Sequence, residues 1–147
     1  NVVNPIITEG IDFVQGSRFI NYESNSNTPM FRVVSIPILS KIISFLFKTK
    51  VTDVTCGFRA YKLELVKRAK FEIDKKWLYG YSFEPYFYTN VFLDEYVLKK
   101  EVPVKMSYPS DKNVKYTKIK PLLNYPGLVL PYLMGKLLFK GFNRNYS

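Results

Sequence analysis

One short turn of this chain carries both a carboxylate and a guanidinium group. Asp53 stands three residues before Cys56 and six before Arg59, with Gly57 between them to permit unusual backbone angles. An aspartate there can accept a proton from an attacking group or orient that group, and an arginine can hold a phosphate through its fork of donors. The residues alone favour a simpler interpretation, in which a surface aspartate caps the turn and pairs with an arginine.

Two more arginines stand where predicted elements begin or end. Arg18 follows a predicted strand over residues 11–15, and strand ends are where α/β proteins place ligand groups. Arg32 begins a long predicted helix, close to its positive N-terminal end. With Arg59 they would make a phosphate-binding set if the fold brings them together. Taken one at a time, each is better explained as a solvated surface arginine.

A further carboxylate, Glu84, lies in a stretch that is otherwise rich in aromatic residues. A carboxylate in such surroundings is expected to be partly buried and to need a partner. Two roles therefore stay open for Glu84, a structural salt bridge to an arginine and contact with a substrate.

The composition excludes several kinds of chemistry. The 22 Lys and Arg against 12 Asp and Glu give a net charge of +10, which suits nucleic acid, anionic lipid headgroups or phosphorylated substrates. The absence of histidine removes Ser-His-Asp and Cys-His arrangements and any zinc site that uses imidazole. The single cysteine excludes an intramolecular disulfide. Chemistry here must rest on carboxylates, basic side chains or a metal held elsewhere.

The elements that must position these residues alternate between strands and helices over the length of about one domain. Pro29 opens an apolar-periodic segment to Phe47, which predicts an amphipathic helix that Pro37 should kink or split. The other predicted elements are a polar loop over 21–28, a turn-rich segment over 51–59, a helix over 62–69, a helix from Tyr81 to Tyr88 or Leu93, and a strand over 97–106 with Pro103 at an edge or bulge.

The C-terminal part changes character twice. A basic run from Lys112 to Lys120 precedes an apolar segment from Pro121 to Phe142. The apolar segment is interrupted at Pro126, Pro131, Gly135 and Lys136. A transmembrane helix needs roughly 20 uninterrupted apolar residues, so an interfacial or re-entrant segment is a better interpretation than a transmembrane helix. A core helix of the folded protein is an alternative that the sequence leaves equally open. The adjoining basic run favours membrane contact.

Five segments, taken in order, resemble glycosyltransferase family 2, in its branch of dolichyl-phosphate mannosyltransferases and polyprenyl-phosphate glycosyltransferases. The family's motifs are a strand ending in Gly-Ser-Arg, a Pro-x-x-Arg helix, an Asp-x-x-x-Gly-Phe-Arg turn, a helix bearing Glu and a Glu-Val-Pro-Val strand. The matching segments end at or contain Arg18, Arg32, Asp53 to Arg59, Glu84 and Glu101 to Val104. The resemblance covers about residues 8–120.

The resemblance implies an α/β fold, the C-terminal part of a GT-A three-layer α/β/α sandwich. Residues 1–120 would be the acceptor-side part of the catalytic domain, and residues 121–147 an apolar, membrane-interfacial segment. The implied activity is that of a hexosyltransferase at the cytoplasmic face of a membrane. It would transfer a sugar from a nucleotide-sugar donor to a polyprenyl or dolichyl phosphate or a related acceptor.

The same resemblance implies roles for single residues. Arg18 and Arg32 would grip the acceptor phosphate. Asp53 would be the catalytic or acceptor-orienting carboxylate, and Arg59 and Glu84 would support substrate binding.

The donor side of such an enzyme is expected to lie before Asn1. The family's Asp-x-Asp metal motif does not occur in this sequence, so the Mg or Mn ion of the complete enzyme should have its ligands outside this chain. The alternative from another class is a non-catalytic, basic membrane-binding module. Nucleic-acid binding ranks third, since no recognised motif for it is present.

Overall fold

A computed structural model describes residues 2–21, 28–67, 76, 83–108, 130 and 132–137. The chain is a mixed α/β protein, with a small three-stranded mixed sheet and several helices, and the predicted fold class is confirmed at this coarse level. It divides into two compact units. The first comprises Asn1–Tyr61 and Leu98–Tyr116, and the second comprises Lys62–Val97 and Thr117–Ser147.

The sheet of the first unit has the strand order β2-β1-β3. Strand β1 (Phe13–Ser17) lies in the middle, pairs antiparallel with β2 (Arg59–Tyr61) and parallel with β3 (Lys99–Pro103), and is buried along its whole length. The predicted strand over 11–15 is confirmed with a start two residues later. Strand β3 lies within the predicted span 97–106 and forms an edge of the described sheet, with Pro103 as its last residue, in agreement with the edge position expected for a proline.

Two helices flank these strands in the chain. Helix α1 (Asn4–Glu9) ends at Gly10, whose φ of 71° is left-handed and suits glycine. Helix α2 (Met30–Phe47) confirms the predicted helix. Pro37 was expected either to kink the helix or to split it, and the split is excluded because the helix continues through Pro37. Pro37 has no N–H for the carbonyl four residues earlier, and the helix continues despite that loss.

The second unit contains α3 (Leu63–Lys67), α4 (Phe83–Leu93) and a helical segment over 132–137. Helix α4 reaches the longer of its two predicted limits and is buried from Pro85 to Phe92. Tyr88 stacks on Phe92 at 4.2 Å between ring centroids and meets Tyr132 edge-on. Helix α4 and the segment over 132–137 therefore contact each other through aromatic rings.

Several predicted segments lie outside the described residues. They are the loop over 22–27, the basic run from Lys112 to Lys120 and most of the apolar segment from Pro121 to Phe142. Within the described part of that apolar segment, Tyr132 and Gly135 are buried, whereas Leu130 and Leu137 are exposed.

Candidate functional site

Strand β1 carries buried polar side chains where a central strand normally carries apolar ones. The Nε2 group of Gln15 donates to the carbonyls of Asp53 (3.2 Å) and Cys56 (2.9 Å), while its Oε1 accepts from Nε of Arg59 (2.8 Å). These bonds satisfy the buried amide, as burial requires. Gln15 thereby fastens the turn over 53–56 to the sheet.

Arg59, at the start of β2, holds the same turn from its other side. Besides its bond to Gln15, it donates from Nη2 to the carbonyl of Val54 at 3.1 Å. Arg59 thus supports the turn over 53–56, and its role in substrate binding stays a prediction.

The carboxylate of Asp53 binds Arg18 in a bidentate ion pair. Arg18 donates from Nε to Oδ2 at 2.7 Å, from Nη2 to Oδ1 at 2.8 Å, and from its backbone N–H to Oδ2 at 3.1 Å. Asp53 is fully buried and Arg18 is 5% exposed. The interpretation of Asp53 as a surface aspartate was therefore wrong, and the arginine it pairs with lies 35 residues away rather than in the same turn.

The remaining bonds of Asp53 bear on its proposed catalytic role. Thr55 donates to Oδ1 from its backbone N–H (3.3 Å) and hydroxyl (3.1 Å), so the two oxygens together accept five hydrogen bonds. Burial lowers the pKa of the Arg18 guanidinium, but the hydrogen bond and negative charge of Asp53, together with Tyr108, raise it by more, so the pKa lies above its ordinary value. In this geometry the Asp53 carboxylate orients Arg18. Its roles in catalysis and in orienting an acceptor stay predictions.

Two guanidinium groups converge on one hydroxyl. Nη1 of Arg18 lies 2.9 Å from Oη of Tyr108, and Nη1 of Arg32 lies 3.4 Å from the same atom. The guanidinium carbon of Arg32 also stands 5.3 Å from the centroid of the Tyr108 ring, at cation–π distance. We call Arg18, Arg32 and Tyr108 the two-arginine cluster.

The topology explains why these three residues meet. Arg18 directly follows β1, Tyr108 follows β3 by five residues, and Arg32 lies in the first turn of α2. Strands β1 and β3 are parallel, so their carboxyl ends share one edge of the sheet, which is the usual ligand-binding edge of α/β proteins. Sequence reasoning proposed both arginines and missed Tyr108, for which no pattern gave a signal.

The charges of the cluster are unequal. Asp53 neutralises Arg18, whereas no ion pair among the described residues includes Arg32. Thr55 gives Arg18 a further partner at 2.7 Å. The cluster thus joins one rigidly held arginine to one whose charge is not balanced by a described carboxylate, an arrangement suited to binding an anion.

Glu101 of β3 holds the beginning of the turn that bears Asp53. Its carboxylate accepts bonds from the backbone N–H of Thr52 (3.0 Å) and of Asp53 (3.4 Å) and from the hydroxyl of Thr52 (2.9 Å). Burial raises the pKa of the Glu101 carboxyl, although the donors of Thr52 oppose that rise. Glu101 lies in one of the sequence motifs, but no role was predicted for it. In the structure it helps to position Asp53, which in turn holds Arg18.

Glu84 and Cys56 have different surroundings. Glu84 is exposed in the first turn of α4 and belongs to the second unit, and its role in substrate binding stays a prediction. Burial raises the pKa of the Cys56 thiol, so this cysteine is protonated at neutral pH and suited to packing. In the part of the chain that the structure describes, no group of three or more His, Cys, Asp or Glu residues could hold a metal ion.

The geometry therefore brings two arginines and a tyrosine together at one edge of the sheet, an arrangement whose donors and charge suit an anion. Phosphate groups suit such a site because two guanidinium groups can bind different oxygens of one phosphate. No protein-family model, curated protein or solved structure matches the chain. The resemblance to family 2 glycosyltransferases accordingly rests on the sequence motifs alone.

Proposed function

We propose that this chain binds the phosphate of a lipid-linked acceptor, as the acceptor side of a family 2 glycosyltransferase. The complete enzyme would transfer a hexose from a nucleotide sugar to a polyprenyl or dolichyl phosphate at the cytoplasmic face of a membrane. The observation that carries the proposal is the convergence of Arg18 and Arg32 on one point.

The two-arginine cluster is prepared for such a ligand. Hydrogen bonds between guanidinium groups and phosphate oxygens are charge-assisted and stronger than neutral ones. The bonds of Arg18 to Asp53 and Thr55 fix its guanidinium before a ligand arrives, so less rotamer entropy is lost on binding. Arg32 contributes the charge that the described carboxylates leave unbalanced.

The proposed reaction needs little from the acceptor side beyond orientation. The second pKa of a phosphomonoester is about 6, so at neutral pH the attacking oxygen is already deprotonated. That oxygen would form a bond to the anomeric carbon while the bond from this carbon to the nucleoside diphosphate breaks, with inversion. Asp53 need not remove a proton, which agrees with its five hydrogen bonds.

The donor side and its metal enter the proposal only by analogy. The described carboxylates do not fit a metal site, since those of Asp53 and Glu101 are occupied by hydrogen bonds within the protein. No step is assigned to a metal on this chain. For the complete fold we propose a GT-A sandwich, a proposal that the parallel pairing of β1 with β3 supports.

Replacing Arg32 by glutamine is expected to weaken the binding of a prenyl phosphate by at least about tenfold, because one charge-assisted hydrogen bond is lost. Titration calorimetry of the full chain with geranyl phosphate and with inorganic phosphate measures the effect. Lys50→Gln is the matched control, since it removes one exposed positive charge from the same unit. Equal affinity for geranyl phosphate in wild type and Arg32→Gln would contradict the proposal.

The exposed face of α2 favours a second candidate function, a basic membrane-binding module. Among the described residues, α2 is the helix long and apolar enough to cross a membrane by length and composition, with 18 residues and a mean hydropathy of 1.8. The core helix of a soluble protein meets the same criteria but is mostly buried, whereas 22% of α2 is buried. One stripe of large apolar side chains is exposed along it: Met30, Phe31, Val34, Ile38, Ile42 and Phe45.

That stripe lies opposite the buried face of α2, which contains Ile36, Ser40, Ile43 and Phe47. A helix that is apolar on two opposite sides has two faces whose exposure to water is unfavourable. With the net charge of +10, an anionic bilayer surface fits the exposed face through both apolar burial and charge.

Replacing Ile38 and Phe45 together by serine is expected to lower the affinity for phosphatidylserine-containing vesicles more than about tenfold, since each buried large side chain contributes roughly 1.5–3 kcal/mol. Vesicle co-sedimentation measures the effect. Ile7→Ser on α1 is the control, because Ile7 is also an exposed apolar residue (77%) but lies on another helix. Unchanged vesicle binding in the double variant would exclude this face. If the chain binds vesicles and its affinity for geranyl phosphate is the same in wild type and Arg32→Gln, the membrane-binding module is favoured over the acceptor site.

A further inference from the structure

The hydroxyl of Tyr108 occupies the point where the two arginines converge. Its oxygen has two lone pairs, and the guanidinium donors of Arg18 and Arg32 are directed at it from 2.9 and 3.4 Å. An oxygen that accepts from both arginines is what a bound phosphate would supply. Tyr108 therefore takes the position of a ligand oxygen, although it is neutral and a weaker partner than an anion.

The ring of Tyr108 acts differently from its hydroxyl. Tyr108 is buried, with 6% of its surface exposed, and the guanidinium of Arg32 stands 5.3 Å from the ring centroid. This cation–π contact holds Arg32 beside Arg18 even though both side chains are positively charged. The ring thus assembles the anion site, while the hydroxyl fills it.

We propose that Tyr108 sets the affinity of the two-arginine cluster for a phosphomonoester. Its hydroxyl is an internal competitor that the acceptor phosphate must displace, and its ring keeps Arg32 in position. This inference rests on the proposed function, since it presupposes that the cluster binds phosphate.

The competitor can be removed without removing the ring. In Tyr108→Phe the acceptor oxygen is lost and the aromatic face is kept, so both guanidinium groups gain free donors for the ligand. We expect this variant to bind geranyl phosphate and inorganic phosphate about fivefold more tightly than wild type, because the ligand no longer has to displace the hydroxyl from the two guanidinium groups. In Tyr108→Leu the ring is lost as well, and binding should be about two- to fivefold weaker than in Tyr108→Phe.

Titration calorimetry of the full chain with the two phosphates measures both effects, and circular dichroism verifies that each variant is folded. Tyr96→Phe is the matched control, because Tyr96 is 59% exposed and belongs to the second unit, and we expect no change in its affinity. Tighter binding by Tyr108→Phe than by both wild type and Tyr108→Leu supports the inference.

Two other results would overturn it in distinguishable ways. If Arg32→Gln weakens binding but Tyr108→Phe binds as wild type or more weakly, the hydroxyl assists the phosphate or leaves it unaffected. The competitor role is then wrong while the acceptor site stands. If binding is absent, or does not depend on Arg32, the proposed function and this inference fail together.

Discussion

Asp53→Ala is expected to lower the free energy of unfolding of the first unit by about 3–5 kcal/mol, because it leaves a buried guanidinium without its counter-charge. Arg18 is 5% exposed and donates three of its hydrogen bonds to the Asp53 carboxylate. Urea denaturation of the full chain, followed by circular dichroism, measures the loss. The same variant should lose affinity for geranyl phosphate, since Arg18 is then no longer held in place.

Glu9→Ala supplies the control for this loss. Glu9 pairs with Lys100 at 2.7 Å in the same unit, but both side chains are more than 40% exposed. Exposed pairs of this kind contribute about 0–1 kcal/mol. The double variant Arg18→Met, Asp53→Ala tests the cause, because it removes the orphaned charge and should be more stable than Asp53→Ala. An Asp53→Ala variant as stable as Glu9→Ala would contradict the assignment of Asp53 as the anchor of Arg18.

The regular elements were largely predictable because their residues repeat with a recognisable period. Helix α2 is 18 residues long and α4 is 11, which gives apolar side chains enough turns to show their spacing. Strand β2, with three residues, is too short for alternation to be seen, and it was missed; the predicted turn-rich segment over 51–59 overlaps it at Arg59. Helix α1 has only six residues and was missed for the same reason.

The arginines and the aspartate of the site were predictable from the sequence, whereas Tyr108 and the pairings were not. Reasoning along the chain paired Asp53 with the nearest arginine in the turn, Arg59, whereas the sheet brings Arg18 to Asp53 and gives Arg59 to Gln15. Such pairings depend on strand register, which local spacing does not specify. A signal for Gln15 did exist, since a polar amide inside a strand buried on both sides must find partners.

The pairings depend in turn on how closely the chain packs around β1. Gly16 donates its N–H to the carbonyl of Phe58 at 2.8 Å, and Ser17 accepts from the N–H of Val104 at 2.9 Å. Phe58, at the end of the turn that bears Asp53, and Val104, directly after β3, thus bind opposite sides of β1. They bind at Gly16 and Ser17, the two residues before Arg18. The absence of a side chain at Gly16 is therefore a condition for assembling the site.

Gly16→Ala is expected to cost about 1–3 kcal/mol of unfolding free energy, the usual range for overpacking a buried position. A Cβ at Gly16 would lie 2.8 Å from Cγ1 of Val104 and 2.9 Å from the carbonyl oxygen of Phe58. Because the Phe58 carbonyl is backbone, the strand or the turn must move. That movement should also weaken the binding of geranyl phosphate, which calorimetry measures alongside urea denaturation.

Gly57→Ala separates this steric effect from the general effect of replacing a glycine. Nothing lies within 4 Å of a Cβ built at Gly57, which stands in the same turn region, so a change within about 0.5 kcal/mol is expected there. Val104→Ala in the Gly16→Ala background removes one of the two clashes and should recover part of the lost stability. If Gly16→Ala is as mild as Gly57→Ala, the close approach at Gly16 does not hold the turn against β1. The turn must then be positioned by side-chain bonds, among them those of Gln15, Arg59 and Glu101.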